Sequence, residues 1–365
     1  MRHVFASGRR RRIAAALAVC GGVALAYAAM GTAAPAGKPF AGQTLVIINW
    51  KGYGSDLPWV VKQFEQMTGA KVVNQFKPSD QGEIQMLQNG GLGKVDVAVT
   101  NHAYVQPSIK AGLLQPIDVS KVKTYSQLFP ILRNLASIHS GGKVYGIPWE
   151  WGLTTLAYNP QATGGPVTSW KDLWSSKFAG KVAFFDDPQT AIETAAFYLG
   201  ENPAKPNLDA VHKALSDLKK NVKVFWGSSN DWTRAFSTGQ AVIGNAWSSL
   251  PSQLPKPQIK LVVPSAGSVG WLDSWTLVKN APHPQLAYAW FNYITSAAFQ
   301  TRWSKDPSHS AAGPANSVAL HKLPAATLTM LGANPAWLPH LDFVQITAAQ
   351  LKAWTTLWET IKAGG

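Results

Sequence analysis

The order of strand and helix patterns constrains this chain more than any other feature of its sequence. Residues 43–50 (QTLVIINW) form an apolar, β-branched run of strand length, and a glycine-containing loop separates them from a helical pattern between Pro58 and Gly69. Ser55 or Asp56 is the expected cap of this helix, whose predicted apolar face is Val60, Val61, Phe64 and Met67. The patterns that follow are strand 71–76, helix 80–89 and strand 95–99. Such alternation is typical of an α/β fold with a mostly parallel sheet.

A second set of alternating patterns occupies the middle of the chain. Its members are, in order, strand 181–185, helix 189–199, helix 208–219, strand 241–247 and strand 260–264. Ahead of this set, 143–147 and 153–159 are strand patterns on either side of 148–152 (PWEWG), where we expect the chain to cross from the first set to the second. The remaining patterns are strand 275–278, helix 284–296, an irregular tail at 305–339 and an amphipathic helix at 346–363.

The length of 365 residues exceeds what one hydrophobic core usually serves. We therefore predict an α/β fold of two lobes, each a mixed, mostly parallel sheet flanked by helices, with a ligand cleft between the lobes. The predicted segments are 42–147 for the first part of lobe 1, 148–270 for the main part of lobe 2, 271–308 for the second part of lobe 1, and 309–365 for a carboxyl-terminal region that belongs to lobe 2 and covers the hinge.

The amino terminus has the features of an export signal. Arginines at 9–12 form a positive segment, residues 13–29 are apolar and rich in alanine, and 34–36 (APA) offers a cleavage site, so residues 1–36 are predicted to be a signal peptide. The one cysteine, Cys20, lies inside this segment after Val19, where a lipid-anchor signal has a small residue. We therefore expect no lipid anchor and a mature chain without disulfides or thiol chemistry.

The positive charge of the chain does not indicate a nucleic-acid partner. The formal net charge is +14, and five arginines with no acid in residues 1–37 leave +9 for the rest. The remaining lysines and arginines are scattered and form no basic helix or stripe. We expect a solvated basic surface.

The motifs of metal, cofactor and hydrolase sites are absent from the sequence. The eight histidines have none of the spacings of a metal site, and no nucleophile elbow, phosphate-binding loop or dinucleotide fingerprint occurs. We therefore expect no metal, no cofactor and no catalysis. A secreted hydrolase using a pair such as Asp186 and Asp187 stays a distant alternative.

The stretch 270–275 (GWLDSW) is the strongest candidate for binding a cation. It places the carboxylate of Asp273 two residues from the indole of Trp271 where an apolar strand begins, and both groups attract a positive charge. The same pattern also fits a packed indole beside a solvated turn residue. In doubly wound sheets ligands bind at the carboxyl ends of strands. The polar or aromatic loops at such ends are 49–55, 100–104, 186–190 and 247–249.

Five motifs, in this order, carry a family resemblance: INWKGYGSD, GKVYGIPWEWGLTTLAYNP, WKDLWSSKFAGKVAFFDDP, VFWGSSNDW and GWLDSWTLV. From about residue 44 to the end, the chain resembles the spermidine/putrescine-binding group of ABC-transporter solute-binding proteins. The resemblance implies the type II periplasmic fold and a monomeric periplasmic receptor without a cofactor. Such a receptor closes its lobes on a small organic amine and delivers it to a membrane permease.

The resemblance also implies positions for the ligand contacts. Trp271 and Asp273 fall on the family's indole and main amine-binding carboxylate, Trp247 on a second cleft indole, Asp187 on a carboxylate of the second lobe, and Tyr53 on an aromatic residue of the first loop. A helix cap would equally explain Asp187, and a packed strand end Trp247. Trp50 matches a position in the first loop that core packing would also explain. The remaining candidate ligand-binding residues are Lys51, Asn101 and Glu150.

Three departures from the family pattern bear on the ligand. Gly52 and Thr190 stand where the family often has acids, and Ala103 stands where it has an aromatic residue next to Tyr104. A buried ammonium without a counter-charge is costly, so a triamine or tetramine fits poorly unless Glu150 or another acid, Asp231, supplies a charge. We expect a mono- or diamine. The alternative is a zwitterionic or anionic solute, such as an amino-acid derivative or a phosphonate, whose anion would meet Lys51 or the helix amino terminus after Gly54.

Overall fold

The computed structural model describes residues 37–254, 259–306 and 312–364. The predicted signal peptide lies outside these residues. In the described part of the chain, no helix combines the length and the apolar character needed to cross a membrane.

The described residues form an α/β structure around one curled, mixed sheet. The strands are β1 (Thr44–Asn49), β2 (Lys71–Phe76), β3 (Val97–Asn101), β4 (Leu114–Gln115), β5 (His139–Ser140), β6 (Lys143–Val144), β7 (Gly146–Tyr158), β8 (Val182–Phe185), β9 (Val222–Trp226), β10 (Ile243–Trp247), β11 (Lys260–Val262), β12 (Ser268–Val278), β13 (Gly313–Pro314) and β14 (Leu341–Asp342). The helices are α1 (Pro58–Thr68), α2 (Asp80–Met86), α3 (His102–Lys110), α4 (Pro130–Arg133), α5 (Pro188–Leu199), α6 (Leu208–Lys219), α7 (Ser229–Ser237), α8 (Pro284–Ile294), α9 (Ala297–Trp303), α10 (Ser317–Leu320), α11 (Ala325–Leu331) and α12 (Ala348–Ala363).

Two long central strands join the halves of the sheet. The strand order is β2-β1-β3-β12-β7-β10-β8-β9, with β4 and β14 beside β12 and with β11 and β13 beside β7. Strands β1, β2 and β3 are parallel to one another, as are β8, β9 and β10, whereas β12 and β7 run antiparallel to each other and to their neighbours β3 and β10. The two predicted α/β sets are therefore the outer parts of the sheet. The exact lobe boundaries stay predictions.

Each half of the sheet has its own apolar core. The largest core includes Trp149, Trp275 and Trp290 with the strands and helices of the first half. In the second half, α12 buries Trp354 and Trp358 in a core that also contains residues of β8, α5 and α6. Burying a side chain of this size contributes about 1.5–3 kcal/mol, so α12 is an integral part of the second half.

The prediction of two strands around residues 148–152 is wrong, because β7 runs without interruption through them. Strand register shows the reason: Asp273 lies opposite Glu150 and Ser274 lies opposite Pro148, so Trp149 is the extra residue of a β-bulge. A bulge accommodates a proline, which has no N–H to give to the ladder.

Three other expectations also need correction. The tail at 305–339 was predicted to be irregular, but its described part contains β13, α10, α11 and a 3₁₀ helix at Pro335–His340. Helix α1 has Leu57 at its cap position, and the carboxylate of Asp56 instead accepts a hydrogen bond from the backbone N–H of Gly52 at 2.9 Å. Met67, predicted on the apolar face of this helix, is 53% exposed.

Candidate ligand-binding site

Asp273 lies in the middle of the sheet, where the first half meets the two central strands. On β12 it is paired with Asn101 at the end of β3 and with Glu150 on β7, directly beside the bulge. This register brings side chains that are far apart in the sequence to one point at the carboxyl ends of β1 and β3. Ligands of open α/β sheets bind at such ends.

Neutral donors hold the carboxylate of Asp273. The hydroxyl of Tyr53 donates to Oδ2 at 2.9 Å, and the side-chain amide of Asn101 donates to Oδ1 at 3.1 Å. Oδ1 of Asn101 accepts from the backbone N–H of Ala103 as the cap of α3, which turns the amide nitrogen toward Asp273. All three are among the residues predicted to bind the ligand, and the structure brings them together; their role in binding stays a prediction.

The first loop holds the ring of Tyr53 in place. The side-chain amide of Asn49 donates to the backbone carbonyl of Tyr53 at 2.8 Å, and the ring packs edge-on against Trp149 with centroids 4.7 Å apart. Gly54 has φ of 89°, and a Cβ there would lie 3.1 Å from Cζ2 of Trp149. Glycine therefore permits the close approach of the loop that directs Tyr53 at Asp273.

Burial controls the protonation of this carboxylate. Asp273 is 8% exposed, and its pKa is raised to about 7, first by burial and then by the charge of Asp80. The charge of Lys77 and the two hydrogen bonds act in the opposite direction. Burial and Asp273 itself raise the pKa of Tyr53 well above its usual range, so Tyr53 stays a neutral donor. Asp273 is therefore a buried acid whose ionised form would gain from a cation.

Trp271 lies two residues before Asp273 on β12, and its ring lies across the neighbouring strand β7. It is paired with Gly152 on β7, and a Cβ at Gly152 would lie 2.1 Å from Cζ2 of the indole. Only glycine leaves room for the ring in this position. Trp271 is partly exposed, whereas its Nε1 is buried and has no hydrogen-bond acceptor among the described residues.

A second cluster of charges, which no sequence pattern predicted, lies beside Asp273. Lys77 follows β2, and its ammonium contacts Asp80 at 2.8 Å, Glu83 at 2.6 Å and the backbone carbonyl of Val99. The ammonium also lies 4.7 Å from the ring centroid of Trp50, in a cation–π geometry. The lysine side chain is fully buried, so these contacts replace its hydration.

Asp80 connects this cluster electrostatically to the second half of the protein. After burial, the charges of Asp80 and Asp187 are the next causes that raise the pKa of Tyr104. Burial likewise raises the pKa of Asp187, and the charge of Asp80 adds to the effect. Tyr104 therefore supplies an aromatic side chain near these acids, although the family pattern placed that aromatic position at Ala103. Ala103 itself is buried.

Asp187 is the cap of α5, since its Oδ1 accepts from the backbone N–H of Thr190 at 2.7 Å. The helix-cap explanation is thus part of its role, and its carboxylate lies within the electrostatic reach of Asp80.

Two further candidates, Trp247 and Lys51, make no hydrogen bond to Asp273 in the described part of the chain. Trp247 is partly exposed and packs edge-on against Phe185 and Trp226, each with centroids 5.2 Å apart. Lys51 is exposed on the first loop. Their roles stay predictions.

Glu150 and Asp231 differ as sources of extra negative charge. Glu150 is buried and accepts a hydrogen bond from the indole N–H of Trp303, and its charge also raises the pKa of Tyr53. Asp231 pairs with Arg234 at 2.9 Å on the surface of α7, where its side chain is 38% exposed. Asp231 therefore serves a surface ion pair rather than a buried ammonium.

Within the described ranges, no group of three or more histidine, cysteine, aspartate and glutamate side chains is arranged to hold a metal ion. The site consists of carboxylates, aromatic rings and one internal lysine.

Comparison with known proteins identifies the family. The sequence model of the bacterial extracellular solute-binding proteins matches residues 59–336, which is most of the chain. The chain belongs to this family. The chain is 29% identical over 257 residues to the spermidine/putrescine-binding periplasmic protein of Escherichia coli. This alignment covers 69% of this chain and 72% of the relative.

Two further relatives extend the likeness over nearly the whole chain. The putrescine/agmatine-binding protein of Pseudomonas aeruginosa is 26% identical over 360 residues, covering 91% of this chain and 95% of the relative. The crystal structure of a spermidine/putrescine ABC-transporter substrate-binding protein from Streptococcus pneumoniae superposes with a TM-score of 0.75 at 21% identity, covering 88% of this chain and 99% of that one. This superposition confirms the predicted two-lobed fold of periplasmic binding proteins.

Proposed function

We propose that this solute-binding protein binds a small organic amine with one or two ammonium groups and delivers it to the membrane permease of an ABC importer. We further propose that it acts in the periplasm as a monomer and catalyses no reaction. The names of the relatives support the amine and the periplasm, and membership of a solute-binding family supports binding without chemistry.

The observation that carries the proposal is the environment of Asp273. Its carboxylate is buried, and the two hydrogen bonds that it accepts from Tyr53 and Asn101 come from neutral groups. Burial of the ionised form is unfavourable, and the charge of Lys77 does not offset it, so the pKa of Asp273 is raised to about 7. An ammonium placed against Asp273 would supply the missing charge through a charge-assisted hydrogen bond.

The indole of Trp271 supports the same ligand. A cation near the face of an indole gains about 0.5–2 kcal/mol, and Trp271 is two residues from Asp273 with its ring fixed across Gly152. We therefore propose Asp273 and Trp271 as the anchor of the ligand, with Tyr53 and Asn101 as the groups that orient the carboxylate.

Titration with a panel of amines tests this function. Isothermal calorimetry at pH 8 with putrescine, spermidine and n-butylamine is expected to give saturable binding of at least one amine, and Asp273→Asn is expected to weaken that binding strongly. Asp231→Asn is the matched control, because it removes the same charge from an exposed ion pair. If no amine binds, or if both variants bind as the unmodified protein does, the proposed function is wrong.

A zwitterionic solute is the second candidate. Nε1 of Trp271 is a buried donor without an acceptor among the described residues, and a carboxylate or carbonyl on the ligand would satisfy it. The exposed Lys51 would add attraction for an anion. A loss of affinity for γ-aminobutyrate but not for n-butylamine in Lys51→Ala would favour this candidate.

A further inference from the structure

Lys77 has the surroundings of a bound amine rather than those of an ordinary surface lysine. Its three N–H groups meet three acceptors, namely Asp80, Glu83 and the backbone carbonyl of Val99. Its ammonium lies 4.7 Å from the ring centroid of Trp50. An aromatic face combined with carboxylates is the usual way in which proteins hold an organic ammonium.

The position of this cluster places it beside the proposed anchor. Lys77 directly follows β2, and its N–H donates to the backbone carbonyl of Asn49 at the end of β1. The side chain then passes the end of β1 and reaches Val99 on β3, at the same sheet edge that carries Asn101 and Asp273.

Asp80 is the acid of this cluster that reaches solvent. Its side chain keeps 22% exposure, in contrast to those of Lys77 and Glu83, which are buried. Its charge is also felt by Asp273, by Tyr104 and by Asp187 across the structure. These three groups lie on β12, on α3 and at the cap of α5, so they converge near Asp80.

We propose that Lys77 is a specificity-determining residue, whose ammonium occupies the site that a second ammonium of the ligand would take beside Asp273. The protein then selects solutes with a single ammonium. Asp80 and Trp50 are engaged by Lys77, and Asp187 is engaged as the cap of α5, so a second ammonium would have to compete with the ammonium of Lys77 for these partners. This inference rests on the proposed amine binding.

The test compares two ligands of equal chain length, n-butylamine with one ammonium and putrescine with two. Lys77→Met alone would leave Glu83 buried without its partner, so the variant of choice is Lys77→Met with Glu83→Gln, which removes both charges of the buried pair and frees Asp80. The unmodified protein is expected to bind n-butylamine at least as tightly as putrescine. In the double variant, the dissociation constant of putrescine divided by that of n-butylamine is expected to fall by about tenfold or more.

Lys71→Met is the matched control, because Lys71 is the first residue of β2, the strand that Lys77 follows, and its side chain is 74% exposed. The ratio of the two dissociation constants in this control variant should equal that of the unmodified protein. If the unmodified protein binds putrescine more than about tenfold tighter than n-butylamine, Lys77 does not exclude a second ammonium, and no variant is needed to show it. If n-butylamine binds but the ratio does not change in the double variant, Lys77 is structural and the proposed function stands. If no amine binds the unmodified protein, the proposed function and this inference fail together.

Discussion

Replacing Asp273 by asparagine is expected to stabilise the unliganded protein while it removes the proposed ligand anchor. Asparagine has nearly the shape of aspartate and can keep hydrogen bonds to Tyr53 and Asn101, but it carries no charge. Proteins often accept an unfavourable buried charge at a site that needs it for function. The variant separates the stability of the site from its function.

The magnitude follows from the raised pKa of Asp273. The folded protein binds this proton up to about pH 7, whereas the unfolded chain releases it near the ordinary value of 3.8. Stability contributed by the neutral carboxyl is therefore present in full below pH 4 and is lost as the pH rises to 7. A difference of about 3 pKa units corresponds to about 4 kcal/mol, which is the upper bound of the gain for Asp273→Asn above pH 7.

Urea unfolding of both proteins without ligand at pH 4.5, 6 and 8 measures this gain. The free energy of unfolding of Asp273→Asn should exceed that of the unmodified protein most at pH 8 and least at pH 4.5. Asp231→Asn should change stability by less than about 1 kcal/mol at each pH, because its ion pair with Arg234 is exposed. A variant that is less stable at pH 8, or a difference that does not vary with pH, would refute the reasoning about buried charge.

Two other predictions concern ligand binding. Affinity for an amine is expected to fall roughly tenfold per pH unit below pH 7, because the protonated carboxyl of Asp273 cannot pair with an ammonium. A dissociation constant that stays the same between pH 5.5 and 8 would contradict this prediction. Gly152→Ala is expected to displace the ring of Trp271 and to weaken amine binding about tenfold or more, which tryptophan fluorescence titration measures. Gly227→Ala is the control, because a Cβ there meets open space and the backbone is not in the left-handed region; equal affinities of the two variants would show that the ring position does not matter.

The alternation of strand and helix patterns predicted the fold, and the motif resemblance pointed to Tyr53 and Asp273, which the structure brings into contact. Both depend on local signals: apolar periodicity for β1 or α6, and short motifs for Tyr53 and Asp273. The residues around Asp273 come together because β12 lies between β3 and β7, which the structure shows and the order of elements does not fix.

The cluster around Lys77 could not be predicted in the same way. A lysine between a strand and a helix is usually solvated. Only the pairing of β2 with β1, and of β1 with β3, turns this one inward to Asp80 and Glu83. The unbroken course of β7 was equally hidden, because Pro148 is tolerated there only through a bulge that involves a partner strand more than a hundred residues away. Pairing between distant segments carries this information, and local periodicity does not contain it.

Proton release on binding tests the central claim most directly, since it reports whether the ligand's ammonium meets Asp273. Calorimetric titration of an amine at pH 7 in two buffers of different ionisation enthalpy gives the number of protons released. With a pKa of about 7, roughly half of the Asp273 carboxyls are protonated before binding, so about half a proton should leave per amine bound. The release should disappear at pH 8.5 and in Asp273→Asn. Equal heats in both buffers at pH 7, or a release that persists in Asp273→Asn, would contradict the account.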